Sequence, residues 1–277
     1  MRFEILLLLI VSQISFSQTE DDKMYSIAYL TTSKLYHSSM TPFQEYANLK
    51  VKGNQSSYQT YNGREMDTLK KNGTMKDIHI SKFSSHNRYV ILTKDNNLTY
   101  YEVLYEDEYT YSETLDFDWK LEEGTMKIKG YTCKKAKVNY GGRTWTAWYN
   151  IEIPLNAGPY KFKGLPGLIM KVTDSTNSYD FEFYDMAIRE AAPIDDRYYH
   201  LKPKDKRIVL DRNTFNATKF RYEAMSLSEK MSMGSQFKGK GGQLKVVRVD
   251  GDDNVELREP RNRNRADDNN LIEINHN

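Results

Sequence analysis

Apolar and polar residues alternate with a period of two along much of this chain, the mark of strands that bury one face. Residues 24–30 (MYSIAYL) set Tyr25, Ile27 and Tyr29 against Met24, Ser26 and Ala28 and predict an opening strand. Tyr89 to Thr93 and Leu98 to Tyr105 flank Asp95-Asn96-Asn97 and predict a hairpin. Gly141-Gly142 suits a two-residue turn, in which both central residues need positive φ. The strand that follows, Arg143 to Asn150, puts Trp145, Ala147, Tyr149 and Ile151 on one face and Thr146 and Trp148 on the other. Aromatics on both faces place it in the interior of a sheet. Leu168 to Val172 predicts the next strand and 174–178 a turn. In the partner, Tyr179 to Ile188, Tyr179, Phe181 and Phe183 oppose Asp180, Glu182 and Tyr184.

Elsewhere the pattern is less regular. Phe43, Tyr46 and Leu49 fall at helical spacing within the mixed segment 34–52. Residues 56–61 predict a short strand or loop closed by Asn62-Gly63. Parity changes twice between Gly130 and Ala136, which predicts a bulge at Cys133-Lys134-Lys135 or a bend at Gly130. Residues 102–118 gather Glu106, Asp107, Glu108, Glu113, Asp116 and Asp118; without a calcium-loop pattern they are expected at a solvated strand edge or loop. After a basic run, Lys202 to Arg212, Asn213-Thr214 is placed as the cap of a helix through Phe215, Phe220, Tyr222 and Met225 to about Met233, with Gly234 ending it. Residues 234–277 are expected to form a mobile basic and polar tail, with 270–274 docking as a final short strand.

Between the strands lies the most unusual stretch, residues 160–173 (YKFKGLPGLIMKVT). Pro166 fixes its own φ and Gly167 accepts the positive φ of a type II turn, which then feeds a buried strand. The domain is therefore mainly antiparallel β over residues 18–233, with one late α-helix. Arg2, an apolar run from Ile5 through Val11 to Ile14, and Ser15-Phe16-Ser17-Gln18 make residues 1–17 a secretory signal peptide, with cleavage expected after Ser17. The mature protein is expected in the periplasm or cell envelope, or secreted.

Composition sharpens this picture in two places. Tyrosine occurs 21 times against 3 tryptophans, an amphipathic excess that suits half-buried strands. Cys133 is the sole cysteine, so an exported chain has no internal disulfide and no two-cysteine metal or redox motif; it is expected as a small buried residue. The net charge of +2 points to neither nucleic acid nor membrane as a partner.

Several of these features coincide in order and spacing: Gly130-Tyr131-x-Cys133-Lys134-Lys135-Ala136, Trp145-x-x-Trp148-Tyr149, Ile153-Pro154, Gly158-Pro159 and Gly164-Leu165-Pro166-Gly167-Leu168-Ile169. Together they resemble the GLPGLI family of exported bacterial envelope proteins. The resemblance covers the leader and roughly residues 24–188; Asn270-Leu271-Ile272-Glu273 is similar to the family's closing Asn-Pro-Ile-Glu, with Leu271 in place of proline. It implies an envelope protein without an established activity, often encoded near outer-membrane uptake systems. By analogy it also implies a curved, half-barrel-like antiparallel sheet similar to periplasmic lipoprotein carriers.

The shared residues offer little chemistry. Gly164, Leu165, Pro166, Gly167, Leu168 and Ile169 hold no acid–base group, and are read as a structural turn or a ligand contact. Glu152 has no partner carboxylate for glycoside hydrolysis. The histidines, His37, His79, His86, His200 and His276, show no zinc spacing. No cofactor or metal is expected. Trp145, Trp148, Tyr149, Phe181 and Phe183 remain as a candidate binding surface for an apolar ligand or a partner segment. The expected role is a non-enzymatic binding or accessory protein of the periplasm or outer membrane. The alternatives are docking on an outer-membrane transporter through an edge strand or the tail, and an enzyme whose site is assembled from dispersed residues.

Overall fold

A computed structural model describes residues 23–34, 41–60, 89–104, 107–190, 194, 207–225 and 272–273. Twelve strands form one open, curved sheet: β1 (Lys23–Ser33), β2 (Phe43–Lys52), β3 (Gln55–Thr60), β4 (Tyr89–Lys94), β5 (Asn97–Leu104), β6 (Asp107–Thr114), β7 (Lys120–Ile128), β8 (Tyr131–Tyr140), β9 (Arg143–Asn150), β10 (Leu168–Asp174), β11 (Tyr179–Glu190) and β12 (Ile208–Val209). A helix, α1 (Arg212–Ala224), follows. The strand order is β12-β6-β5-β4-β3-β2-β1-β11-β10-β9-β8-β7. Two antiparallel meanders, β1–β6 and β7–β11, thus meet where β1 pairs with β11 in the middle.

This topology forces the curvature. The chain passes from β6, near one end of the sheet, to β7 at the other end in the five residues 115–119. Ten strand spacings laid flat would put those strands about 48 Å apart, whereas the link reaches only about 20 Å even when extended. The sheet must therefore curl until its ends approach each other, leaving a seam between β6 and β7–β8.

The inner face carries the core. Tyr58, Tyr89, Tyr100 and Tyr111, one on each of β3 to β6, stack in a ladder with ring centroids 6.3, 5.5 and 4.9 Å apart in that order. Cross-strand aromatic pairs of this kind stabilise a sheet by roughly 0.2–1 kcal/mol each, which gives part of the tyrosine excess its physical reason. Across the curl, Trp145 on β9 and Phe181 and Phe183 on β11 are buried, while the intervening Thr146, Asp180 and Glu182 are not. The period-two pattern predicted these faces.

Other predictions need correction. Phe43, Tyr46 and Leu49 lie on a strand, β2, because pairing with both β1 and β3 outweighs a short helical spacing. The acidic segment 102–118 is not a solvated edge throughout: Glu102 and Glu108 are buried on β5 and β6, where Lys219 and Arg207 pair with them. Of the two readings of the double parity change, the bend at Gly130 is the one the chain adopts: Lys129-Gly130 is the turn of a hairpin, with both φ positive. A bulge does accompany it, but on β7 between Glu122 and Thr125 rather than on β8. The cap of α1 is Asp211, whose side chain accepts from the Thr214 N–H. The leader, Asn62-Gly63, all five histidines, and residues 226–271 and 274–277 lie outside the described residues.

Candidate functional site

The stretch around Gly164–Ile169 folds as a plug against the inner face. Its turn is not type II: the Gly167 N–H donates to the Leu165 carbonyl (2.8 Å), a three-residue γ-turn centred on Pro166, and Leu155 N–H donates to Ile153 O (2.7 Å) across Pro154 in the same way. A γ-turn needs a central φ near −75°, which proline supplies. Gly167 has φ +146°, and a Cβ there would stand 2.1 Å from the Asn150 carbonyl oxygen. That contact admits glycine alone. Buried Asn150 secures both sides of it, donating to Thr132 O (2.9 Å) and accepting from the Ile153 N–H (3.0 Å). Leu165, Leu168 and Ile169 are buried, and Gly164 lies against Trp119.

Of the proposed binding surface, Trp145, Tyr149, Phe181 and Phe183 are buried within the core, and only Trp148 is half-buried, on the outer face beside Lys135. Phe162, delivered by the plug, contacts Trp145 at 4.9 Å between centroids, and Tyr160 stacks on Phe181 at 6.1 Å. These rings pack on one another.

What the plug brings to the seam is a charge cluster that the sequence reasoning missed. Lys161 is fully buried, and all three of its N–H donors are engaged: Tyr111 Oη (2.5 Å), Glu113 (2.7 Å) and Glu273 (2.5 Å). Four tyrosine rings surround the ammonium, those of Tyr100, Tyr111, Tyr140 and Tyr160, with centroids at 5.3, 4.9, 5.7 and 5.4 Å. Glu273 accepts from Tyr160 Oη (2.6 Å) on one oxygen and from Arg212 Nε and Nη2 (both 2.9 Å) on the other. Arg212 also reaches Glu113 (3.4 Å), to which Tyr140 Oη on β8 donates (3.1 Å). The sheet's two ends are thus joined by side chains: Glu113 from β6, Tyr140 from β8, Lys161 from the plug and Arg212 from α1.

The electrostatics follow from burial. Desolvation alone would raise the Glu273 carboxyl, but the charges of Lys161 and Arg212 and the hydrogen bonds from Lys161 and Tyr160 outweigh it and hold the group at about 2. Burial pushes the Tyr160, Tyr111 and Tyr100 hydroxyls well above 10.0, and the carboxylates nearby add to this, so they remain donors. Cys133 is buried, its thiol raised to about 11 by desolvation. Among the described residues no cluster of three or more His, Cys, Asp or Glu is placed to hold a metal ion, and no helix is long and apolar enough to cross a membrane.

The missed residues left faint signals. Lys161 sits between two aromatics inside the motif, and Glu273 ends the Asn-Leu-Ile-Glu element. Neither spacing says that they meet.

A curled, open β-sheet with a motif plug is the class of structure defined here. Residues 140–171 match the model of a family described as a protein of unknown function (Porph_ging), a span that contains β9 and the plug. No curated protein matches the chain. Among solved structures it is similar to PNGF-II in the P21 space group, at 15% identity and a TM-score of 0.50, covering 73% of this chain and 34% of that one. PNGF-II in the C2 space group gives 15% identity, a TM-score of 0.48 and coverage of 73% and 33%. The chain spans about a third of the length of that protein. At this identity the likeness is one of fold.

Proposed function

We propose that the mature chain is an exported cell-envelope protein of the GLPGLI type that works by binding a partner segment rather than by catalysis. The observation that carries this is the state of its most reactive-looking group. Lys161 has every donor engaged inside a cluster of two cations and two carboxylates, so it offers neither a base nor a nucleophile to an incoming molecule. The buried aromatics already fill the inner face, which favours a partner segment over an apolar small molecule. The secretory leader read in residues 1–17 supports the envelope as its compartment. Native mass spectrometry of the protein taken from its own envelope, without refolding, tests the proposal. A mass increment equal to a polypeptide supports it; turnover of any substrate mixture that Lys161→Met abolishes in a folded chain refutes it.

A second reading rests on β7. This edge strand is exposed along most of its length and presents Leu121 (65% exposed) and Met126 (38% exposed), an opening for strand addition by an outer-membrane transporter. A photo-crosslinker at Leu121 that captures such a transporter would favour it.

A further inference from the structure

We propose that the cradle of Lys161, Arg212 and the Tyr160 hydroxyl is a receptor for a peptide carboxylate, and that Ile272-Glu273 is its resident ligand, bound in cis and exchangeable for a partner segment of the same chemistry. The partner segment would carry an apolar residue followed by glutamate. This deepens the binding role proposed above by naming the chemistry of the segment.

Charge comes first. Without Glu273 the cradle holds Lys161 and Arg212 against Glu113 alone, a net positive charge whose Lys161 end is buried and whose Arg212 end is partly exposed. Such a site demands an anion. The occupant is also attached as a ligand is, not as a strand. Among the described residues, the hydrogen bonds to Ile272 and Glu273 come from side chains: Tyr160, Lys161 and Arg212 on the carboxylate, and Arg143 Nε on the Ile272 carbonyl (3.2 Å). Arg143 is itself fixed by buried Asp174 at 2.9 Å.

The fold leaves room for this occupant. Gly141, in the β8–β9 turn, has φ +59°, and a Cβ there would stand 3.0 Å from the Glu273 Cγ. Any side chain at 141 would crowd the bound glutamate. Beside Glu273 a narrow crevice, with room for about one water molecule, lies between α1 and the tyrosine ladder and is lined by Phe215, Asn216 and Lys219. In sequence, residues 225–271 separate the occupant from the end of α1.

The test uses the full chain, folded before it is cut. A specific protease site is inserted between Gly241 and Gly242, the purified protein is cleaved, and native mass spectrometry follows the C-terminal fragment. A synthetic peptide of residues 270–277 is then added, in parallel with the same peptide carrying Glu273→Gln. The proposal expects the fragment to stay bound after cutting and to be replaced by the glutamate peptide, with the glutamine peptide competing about 100-fold more weakly. Equal competition by both peptides overturns the carboxylate receptor. A fragment that never exchanges, or a core that loses near-ultraviolet circular dichroism when the fragment leaves, makes Glu273 a fixed part of the fold and overturns exchange. If exchange fails while the envelope preparation still yields a polypeptide partner, only this inference falls and the binding role survives.

Discussion

Glu273→Gln tests the seam most directly, because it removes one charge and keeps the shape. In the folded chain the carboxyl is held at about 2, against an ordinary 4.5. A depressed folded value contributes stability that is fully present above the unfolded value and is lost as the pH falls through the folded one. The window is therefore pH 4.5 down to about 2. Across it the linked stability amounts to about 3 kcal/mol. Removing one member of a buried ion pair costs a similar amount, about 3–5 kcal/mol, since Lys161 and Arg212 would then share Glu113 alone. Urea unfolding at pH 7 should place the variant about 3 kcal/mol below the parent, and the gap should close as both are acidified through the window. A loss under about 1 kcal/mol at pH 7, or a parallel acid limb in the two proteins, would refute a buried, paired Glu273. Pairing Glu273→Gln with Lys161→Met in a double-mutant cycle separates the Lys161 contact from the rest of the cluster.

Other substitutions probe the plug and its supports. Gly167→Ala forces a Cβ to 2.1 Å from Asn150 O at positive φ, and should cost roughly 3 kcal/mol or more in thermal unfolding. Gly130→Ala, at φ +89° but in open space, should cost only about 1–2 kcal/mol, so equal losses would deny the close approach at Gly167. Asp211→Ala removes the cap of α1 and should lower stability by about 1 kcal/mol in urea, whereas Asn213→Ala should do much less. Cys133, buried with its thiol raised to about 11, should resist Ellman's reagent at pH 8 in the native protein and react on unfolding in urea; rapid native labelling would contradict its position.

Much of the sheet was legible because strand burial is local. Alternation at Tyr179–Tyr184 and Trp145–Tyr149, and the turn chemistry of Gly141-Gly142, depend on residues within a few positions of one another. Even the error there was local: β2 was obscured by one apolar residue every third position, while the bend at Gly130 was readable from its parity change. The motif was visible as backbone chemistry, glycine and proline, and that is how it acts. The tertiary structure alone decided where Tyr160 and Lys161 point, that β6 and β8 are neighbours across a seam, and that a glutamate 112 positions beyond Lys161 completes the cluster. Side-chain periodicity reports which face of a strand is wet, but carries nothing about which distant charge neutralises a buried one. That is set by the curl of the sheet, which a five-residue link between its two ends imposes.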